Sequence, residues 1–322
     1  MEKEIILSGI QPTGKLHIGN YLGALKNFVE LQDRHECYFF IADYHSLTED
    51  YDPKIKREQI MDLAKNYLAA GLDPKKSIIF VQSDILEHAE LAWIFNCLTP
   101  IAYLERMTQY KDKSSRQKEN INMGLFDYPV LQAADILIYK ATAVPVGQDQ
   151  DQHVELTRQI ARFFNNRFGQ TFVEPKTIHT PAAKIMSLLL PDKKMSKSLG
   201  DAHCLYLDDE PEVIKKKLAK AVTDTGDGKS LGAKNLLDLS QIFSPKATSQ
   251  KFTADAKKGN LKYSELKQQL AINIAEYFTD FRKKKKQISN EKINQVLEAG
   301  KVQAKKVAEK TMIEVRKKIG VR

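Results

Sequence analysis

The chain has 322 residues, enough for two or three domains with a sizeable core. Hydrophobic residues make up 42% and charged residues 28%, as in soluble globular proteins, and no apolar run approaches the roughly 20 residues of a membrane span. The three cysteines are widely spaced and odd in number, which argues against a disulfide framework or a structural zinc site. The N-terminus lacks a charged-then-apolar signal pattern, so a reducing, cytoplasmic location is expected.

The net charge of +9 is unevenly distributed. Residues 261–322 contain 16 Lys and Arg against 7 Asp and Glu, whereas the rest of the chain holds equal numbers of basic and acidic side chains. A run of this kind is either a solvated helical surface or a contact surface for the phosphate backbone of a nucleic acid. Charge alone does not separate the two interpretations.

The first predicted elements are a strand over residues 5–7, a glycine- and proline-rich turn, and a helix. Apolar residues at positions 22, 25, 28 and 29 give the helical spacing. Such a turn can present backbone N–H groups and the positive end of the helix dipole to a phosphate, and His17 and Asn20 would add side-chain donors. Many α/β proteins connect a strand to a helix with such a turn and bind no ligand there, so the pattern alone is weak evidence for a nucleotide-binding site.

The next elements alternate between buried strands and helices. Two apolar runs, 37–43 and 77–82, have the length and composition of strands buried on both faces. Asp52 and Pro53 open a helix that Gly71 ends, and a further helix covers residues 89–98. The alternation predicts a doubly wound α/β fold with a parallel, Rossmann-like sheet. Ligands bind beyond the carboxyl ends of such strands, where His17, His45 and the loop near Ser83 fall.

The second half of the chain is predominantly helical. A polar loop is predicted at 114–120, and the helix over 126–140 places Tyr128, Gln132 and Asp135 on one face, among apolar neighbours. A short strand and turn at 144–147 precede a long helix, where Asp149 is either a helix cap or a ligand contact. Beyond residue 205 the chain is predicted to be helical over 210–222, 263–286 and 290–319, and the last two of these helices are amphipathic with a basic outer face.

A second glycine-flanked motif carries most of the functional information. Lys194-Met195-Ser196-Lys197-Ser198 is, by composition, a flexible basic loop. Together with His17-Ile18-Gly19-Asn20 it resembles the two signatures of class I aminoacyl-tRNA synthetases. The segments 8–21, 128–137 and 144–158 extend the likeness, so that nearly the whole chain resembles the bacterial tryptophanyl-tRNA synthetases.

The resemblance implies a domain organisation. It predicts a class I catalytic domain over residues 1–205, with a helical insertion at about 104–187 and the lysine loop at 194–198. An all-helical anticodon-binding domain is expected over residues 206–322. The implied partners are L-tryptophan, ATP with Mg²⁺, tRNA(Trp) and a second copy of the chain in a homodimer.

The implied reaction is attack of the tryptophan carboxylate on the α-phosphate of ATP, with release of pyrophosphate, followed by transfer of tryptophan to tRNA. No covalent enzyme intermediate is needed, so catalysis rests on positioning and on stabilising phosphoryl charge. The residues expected to do this are His17, Asn20, Lys113, Lys194 and Lys197. No carboxylate cluster is predicted to hold a metal.

The resemblance also assigns the two substrate sites. ATP is expected at Gln11, Pro12, Thr13, Gly19, Asn20, Gly147, Gln148, Asp149, Ile185, Lys194, Met195, Ser196, Lys197 and Ser198. Tryptophan is expected at Leu7, Gln11, His45, Tyr128, Gln132, Asp135, Val144, Val146 and Gln150. The indole N–H needs an acceptor, and a buried carboxylate left unpaired by the wrong ligand can discriminate by roughly 10⁴-fold. The alternative for Asp135 is a structural ion pair.

Two departures from the family pattern keep a second specificity open. Leu7 stands where many bacterial members have an aromatic residue, and Gln132 where many have methionine. The set Tyr128, Gln132 and Asp135 also resembles the tyrosine-binding helix of archaeal-type tyrosyl-tRNA synthetases. A tyrosine-specific enzyme of the same fold is therefore the main alternative. An adenylyltransferase, or a nucleic-acid-binding module without activity, is a third class.

Overall fold

A computed structural model describes residues 3–108, 121–147, 150–179, 184–224 and 228–322. The strands are β1 (Ile5–Ile10), β2 (Glu36–Ile41), β3 (Ser77–Val81), β4 (Ala143–Val146) and β5 (Lys176–His179). The helices are α1 (Ile18–Asn20), α2 (Lys26–Leu31), α3 (Pro53–Ala70), α4 (Glu87–Asn96), α5 (Ile101–Glu105), α6 (Met123–Ile138), α7 (Asp151–Phe168), α8 (Pro211–Ala219), α9 (Leu231–Phe243), α10 (Lys246–Lys257), α11 (Tyr263–Tyr277), α12 (Thr279–Gln287) and α13 (Asn290–Ile319). No helix in these ranges is both long enough and apolar enough to span a membrane.

The chain folds into two compact units. The first unit contains residues 1–14, 26–181 and 289–322, and the second contains residues 15–25 and 182–288. This division differs from the boundary predicted at residue 205, because the short segment 15–25 joins the second unit and the last helix joins the first. Hydrophobic periodicity shows that a helix has a buried face, but it does not show which core that face joins.

The first unit is built on a parallel sheet in the order β3-β2-β1-β4-β5. This confirms the predicted α/β fold. The predicted helix over 53–70 is also confirmed, since the Asp52 carboxylate caps the Lys54 N–H and Gly71 ends the helix at a φ of 112°. Strand β5 was not predicted, because its four residues form no apolar run; they are half-buried or exposed in the structure.

Helix α13 belongs to the core of the first unit. Ala304, Ala308, Met312 and Val315 are fully buried there. Gly300 lies against the backbone of β3, where a Cβ atom would come within 1.8 Å of the Ile79 carbonyl oxygen. Small residues let the helix approach the strand more closely than larger side chains would permit.

Replacing Gly300 with alanine is expected to destabilise the protein by about 3 kcal/mol or more, because the clashing atoms are backbone and cannot rotate away. Denaturant unfolding of the purified variant measures this loss. Gly23→Ala is the matched control, since a Cβ at Gly23 meets nothing within 4 Å. Equal unfolding midpoints for the two variants would contradict the close approach of α13 to β3.

The second unit has a helical core to which the segment 15–25 is attached. Helices α8, α9 and α11 supply fully buried apolar side chains, including Leu218, Leu239 and Ile274. The ring of Tyr21, in a π-helical turn after α1, packs edge-on against Phe278 with centroids 5.1 Å apart. This contact holds the segment 15–25 against the helices after residue 182.

Candidate active site

Among the described residues of the first unit, the carboxylate of Asp135 on α6 is the most deeply buried charged group. Its Oδ2 atom lies 2.7 Å from Nε2 of His45, and the side-chain amide of Gln82 donates to both carboxylate oxygens at 2.9 Å. Nδ1 of His88 contacts Oδ1. Asp135 is thus part of a buried polar cluster that consists of Asp135, His45, Gln82, His88 and Tyr139.

The cluster favours the ionised form of Asp135. Burial alone would raise the pKa of this carboxyl, but the charge of His88 and the hydrogen bonds from His45 and His88 outweigh burial, so the pKa is lowered. An ionised carboxylate only accepts hydrogen bonds and offers about four lone-pair sites. Three side chains make four contacts to these sites, two on each oxygen, so a further donor such as an indole N–H or a phenol has to share an oxygen with one of them or take its place.

This arrangement corrects one expectation about discrimination. A wrong ligand does not leave the Asp135 carboxylate unpaired, because His45, Gln82 and His88 already donate to it. The penalty for an unsatisfied buried charge is therefore smaller than the sequence argument assumed. The ion-pair alternative for Asp135 describes part of what the structure shows, and it is compatible with a ligand contact.

His45 is the outermost partner of Asp135. Its turn, Tyr44–Thr48, begins where β2 ends, and the Tyr44 N–H donates to the Asp43 carboxylate and to Oε1 of Gln82, both at 3.1 Å. The turn is thereby fixed to the ends of two neighbouring strands. The side chain of His45 is 8% exposed, whereas those of Asp135 and His88 are fully buried.

The other predicted tryptophan-site residues of the first unit occupy the same region to different degrees. The Tyr128 hydroxyl lies 3.0 Å from Nε2 of His153, and its ring packs edge-on to His45 with centroids 6.2 Å apart. Leu7, Val144 and Val146 belong to the apolar cluster that contains the inner face of α6. Half-buried side chains are found at Gln11, Gln132 and Gln150.

The predicted nucleotide residues of the first unit are placed only in part. Pro12 is buried and Thr13 and Gly147 are half-buried, in the segments that follow β1 and β4. Lys113, Gln148 and Asp149 lie outside the described residues, as does the predicted polar loop 114–120. Their expected roles stay predictions.

The second unit contains the first signature, and its helix start is a reciprocal cap. Nδ1 of His17 accepts the Asn20 N–H at 3.3 Å, and Oδ1 of Asn20 accepts the His17 N–H at 3.2 Å. Helix α1 has only three residues before the π-helical turn Tyr21–Leu25, so the helix is less regular than the sequence predicted. The side chains, rather than a long helix dipole, define this site.

The cap determines which donors His17 and Asn20 can offer. Burial, together with the nearby charges of Lys197 and Lys194, lowers the pKa of His17 to about 4. The imidazole is therefore neutral at pH 7. Because Nδ1 accepts a hydrogen bond, the ring proton resides on Nε2, which becomes a neutral donor. Asn20 similarly keeps its side-chain NH₂ group for a ligand.

Backbone pairing brings the second signature to the first. The Ile18 N–H donates to the Leu205 carbonyl at 2.9 Å, which joins the first signature to the segment after the lysine loop. The Met195 N–H donates to the Ile185 carbonyl, also at 2.9 Å, and Met186 pairs with Lys194. Met195 and Ile185 are buried, whereas Lys194 and Ser198 are exposed and Ser196 and Lys197 are half-buried.

Gly19 has a structural role that the sequence did not reveal. A Cβ atom there would lie 2.9 Å from Nδ1 of His17 and 3.8 Å from Cβ of Ile185. The glycine thus leaves space for the capping imidazole.

Three members of the buried polar cluster were missed by the sequence analysis, namely Gln82, His88 and Tyr139. Gln82 directly follows β3, which is a position where ligand-binding side chains occur in such sheets, so its position was an available signal. His88 and Tyr139 gave no comparable signal, since a single histidine on an apolar helix and a tyrosine at a helix end are common in protein cores.

Comparison with known proteins agrees with this geometry. The family described as "tRNA synthetases class I (W and Y)" matches residues 1–279. A tryptophan–tRNA ligase of Caldanaerobacter subterraneus subsp. tengcongensis is 44% identical over 324 residues, covering 98% of both chains. A tryptophan–tRNA ligase of Helicobacter pylori is 40% identical over 331 residues, covering 100% of both.

A solved structure gives the same result at the level of the fold. The tryptophanyl-tRNA synthetase of Campylobacter jejuni, complexed with ADP and tryptophan, superposes with a TM-score of 0.87 and 34% identity. The match covers 98% of the present chain and 100% of the other.

Proposed function

Since this chain belongs to the class I tRNA synthetases for tryptophan and tyrosine, we propose that it is a tryptophan–tRNA ligase. It activates L-tryptophan with ATP to tryptophanyl-adenylate and pyrophosphate, and then transfers tryptophan to tRNA(Trp). The observation that supports this most directly is the pairing of the two signature segments in one hydrogen-bonded framework around His17. Both curated relatives described above are tryptophan enzymes.

In the activation step, the tryptophan carboxylate attacks the α-phosphate and pyrophosphate leaves. His17 Nε2–H and the Asn20 amide donate to phosphate oxygens, and Lys194 and Lys197 neutralise the charge that develops on the leaving pyrophosphate. A neutral His17 suits this role, because it adds a directed donor without competing with the lysines as a cation. Lys113 is proposed as a further phosphate contact.

The remaining nucleotide contacts are proposed from family resemblance. The ribose is assigned to Gly147 and Asp149, and the adenine to Ile185. The other proposed ATP contacts are Gln11, Pro12, Thr13, Gly19, Gln148, Met195, Ser196 and Ser198. Mg²⁺ is proposed to arrive with the triphosphate, whose oxygens and water suit this cation. In the described ranges, no three His, Cys, Asp or Glu side chains are grouped to hold a metal.

Tryptophan selection is proposed to centre on Asp135, which accepts the indole N–H. Tyr128 and Gln150 contact the α-amino group, and Gln11 lies near the carboxylate. The indole ring is proposed to pack against the side chains of His45, Leu7, Gln132, Val144 and Val146.

ATP–pyrophosphate exchange with each amino acid in turn tests this function. We expect exchange with tryptophan and little with tyrosine. Exchange with tyrosine but not tryptophan would replace the proposal by the tyrosine-specific alternative. Exchange with neither would point to the adenylyltransferase or the inactive nucleic-acid-binding alternative.

The basic C-terminal region is proposed to contact tRNA. On α12, Lys283 and Lys284 are exposed, whereas Lys285 and Lys286 are ion-paired at 3.0 and 2.7 Å with acidic side chains. Neutralising both exposed lysines in Lys283→Gln/Lys284→Gln should weaken tRNA binding and lower the slope of log Kd against log[salt] by roughly 1.5, since each phosphate contact contributes about 0.7–0.9.

A filter-binding titration at several salt concentrations measures that slope. The control variant Lys54→Gln/Lys75→Gln removes two exposed lysines from the electrically neutral part of the chain. Its slope should match that of the unmodified protein. If both double variants gave the same slope, the lysines of α12 would form only a solvated surface.

The chain is further proposed to act as a cytoplasmic homodimer. Large apolar side chains are exposed on α4, α5 and α6, with Trp93 at 70%, Ile101 at 65% and Met123 at 74% exposure. Exposed apolar surface of this kind is typical of protein–protein contacts. Sedimentation equilibrium gives the oligomeric state directly, and a monomer at micromolar concentration would contradict the dimer.

A further inference from the structure

We propose that His88, supported by Tyr139, is a positioning residue that orients the Asp135 carboxylate toward the indole N–H of tryptophan. His88 contacts the carboxylate and is fully buried, whereas the side chain of His45, the other histidine partner, is 8% exposed. His88 would thereby determine how strongly the enzyme prefers a ring that carries an N–H donor over an isosteric ring without one. This inference rests on the proposed tryptophan specificity.

The direction of the hydrogen bonds follows from the chemistry of the three groups. Asp135 is an acceptor, so Nδ1 of His88 must carry a proton and donate to Oδ1. Nε2 of His88 lies 2.7 Å from the Tyr139 hydroxyl. Burial, followed by the nearby Asp135 charge, raises the pKa of Tyr139 well above its usual value, so the phenol keeps its proton and can donate. Tyr139 thus fixes the His88 ring through Nε2, as donor to a neutral imidazole or as acceptor from an imidazolium, and Nδ1–H donates to Asp135 in both cases.

The orientation of the carboxylate is fixed on its other side as well. The Gln82 amide has a determined orientation, because its Oε1 accepts the Tyr44 N–H and its NH₂ group therefore faces Asp135. The Tyr139 ring is held by a stacked contact with Tyr38, at 4.7 Å between centroids. His88 thus rests on a rigid support, which is what the precise placement of an acceptor requires.

Removing His88 should weaken the acceptor as well as its support. His88 contributes both charge and a hydrogen bond to the lowered pKa of Asp135, whereas burial acts in the opposite direction. Without His88, burial is opposed by His45 but no longer by His88, so the pKa of Asp135 rises and the protonated carboxyl, whose hydrogen bond to the indole is not charge-assisted, becomes more populated. Bonds to charged groups are about twice as strong as neutral ones.

The test compares tryptophan with β-(3-benzothienyl)alanine, in which sulfur replaces the indole N–H. The quantity measured is the ratio of kcat/KM values for the two substrates in ATP–pyrophosphate exchange. We expect His88→Leu, which has no donor, to lower this ratio about tenfold while leaving the KM for ATP within threefold. His88→Asn places an amide N–H near the position of Nδ1 and should preserve the ratio within about 1.5-fold.

The outcomes separate this inference from the proposed function. If the unmodified protein activates tryptophan but the folded His88→Leu variant keeps or raises the ratio, the positioning role alone is overturned. An unmodified protein that does not activate tryptophan would overturn both. If His88→Leu does not fold, Tyr139→Phe decides, since it removes only the support of His88. We expect it to lower the ratio about threefold, and an unchanged ratio would overturn the proposal.

Discussion

Substituting asparagine for Asp135 is expected to lower kcat/KM for tryptophan by about 10²- to 10³-fold while ATP binding is retained. The amide has one acceptor where the carboxylate had two, so its NH₂ group would face donors from His45, Gln82 or His88. Truncating one partner of a buried, hydrogen-bonded charge costs about 2–5 kcal/mol, and each 1.4 kcal/mol is a factor of ten. The loss should fall mainly on tryptophan, since the proposed phosphate contacts lie elsewhere.

Steady-state exchange kinetics with either substrate varied would show this asymmetry, and circular dichroism would confirm that the variant is folded. Asp127→Asn is a matched control on the same helix, because Asp127 accepts a hydrogen bond from the Asn96 amide at 2.8 Å without contacting the buried polar cluster. The control should leave kcat/KM for tryptophan within about threefold. An Asp135→Asn variant with unchanged kcat/KM would remove Asp135 from the tryptophan site.

The sequence predicted the elements of the first unit well, since long apolar runs and caps depend on local physics. Strands β1, β2 and β3, and helix α3 with its Asp52 cap, all occur where periodicity and capping residues place them. Periodicity also put Asp135 on the same helical face as Tyr128. It could not predict His88, because that contact joins two separate helices and depends on how they pack.

The second unit shows a different limit of sequence reasoning. The two signatures were recognised as motifs, but spacing could not reveal that His17 uses Nδ1 for a helix cap and keeps Nε2–H as its donor. Composition also could not show that α13 belongs to the core of the first unit, whereas the basic helix α12 before it belongs to the second unit. Both facts depend on tertiary contacts, in which side-chain volume and backbone approach decide the result.

Replacing Lys197 with alanine is expected to lower kcat about 10²- to 10³-fold, with much smaller changes in KM for tryptophan and ATP. A charge that interacts mainly with the leaving pyrophosphate stabilises the transition state more than bound ATP, so its loss appears in kcat. The positive charge of Lys197 also acts on His17, whose pKa it lowers together with burial and Lys194. Removal of this charge should therefore raise the pKa of His17 from about 4, while burial, the largest cause, keeps it below 6.5.

Exchange kinetics measure the first effect, and NMR titration of the histidine resonances, with His17→Gln used for assignment, measures the second. Lys193→Ala is the matched control, because it removes an equivalent charge from an exposed neighbour in the same segment. It should leave both kcat and the His17 pKa nearly unchanged. If Lys197→Ala raised KM for ATP while kcat was preserved, Lys197 would contribute to ground-state binding of ATP. If Lys197→Ala and Lys193→Ala had the same kcat, the charge of Lys197 would contribute to solubility rather than to phosphoryl transfer.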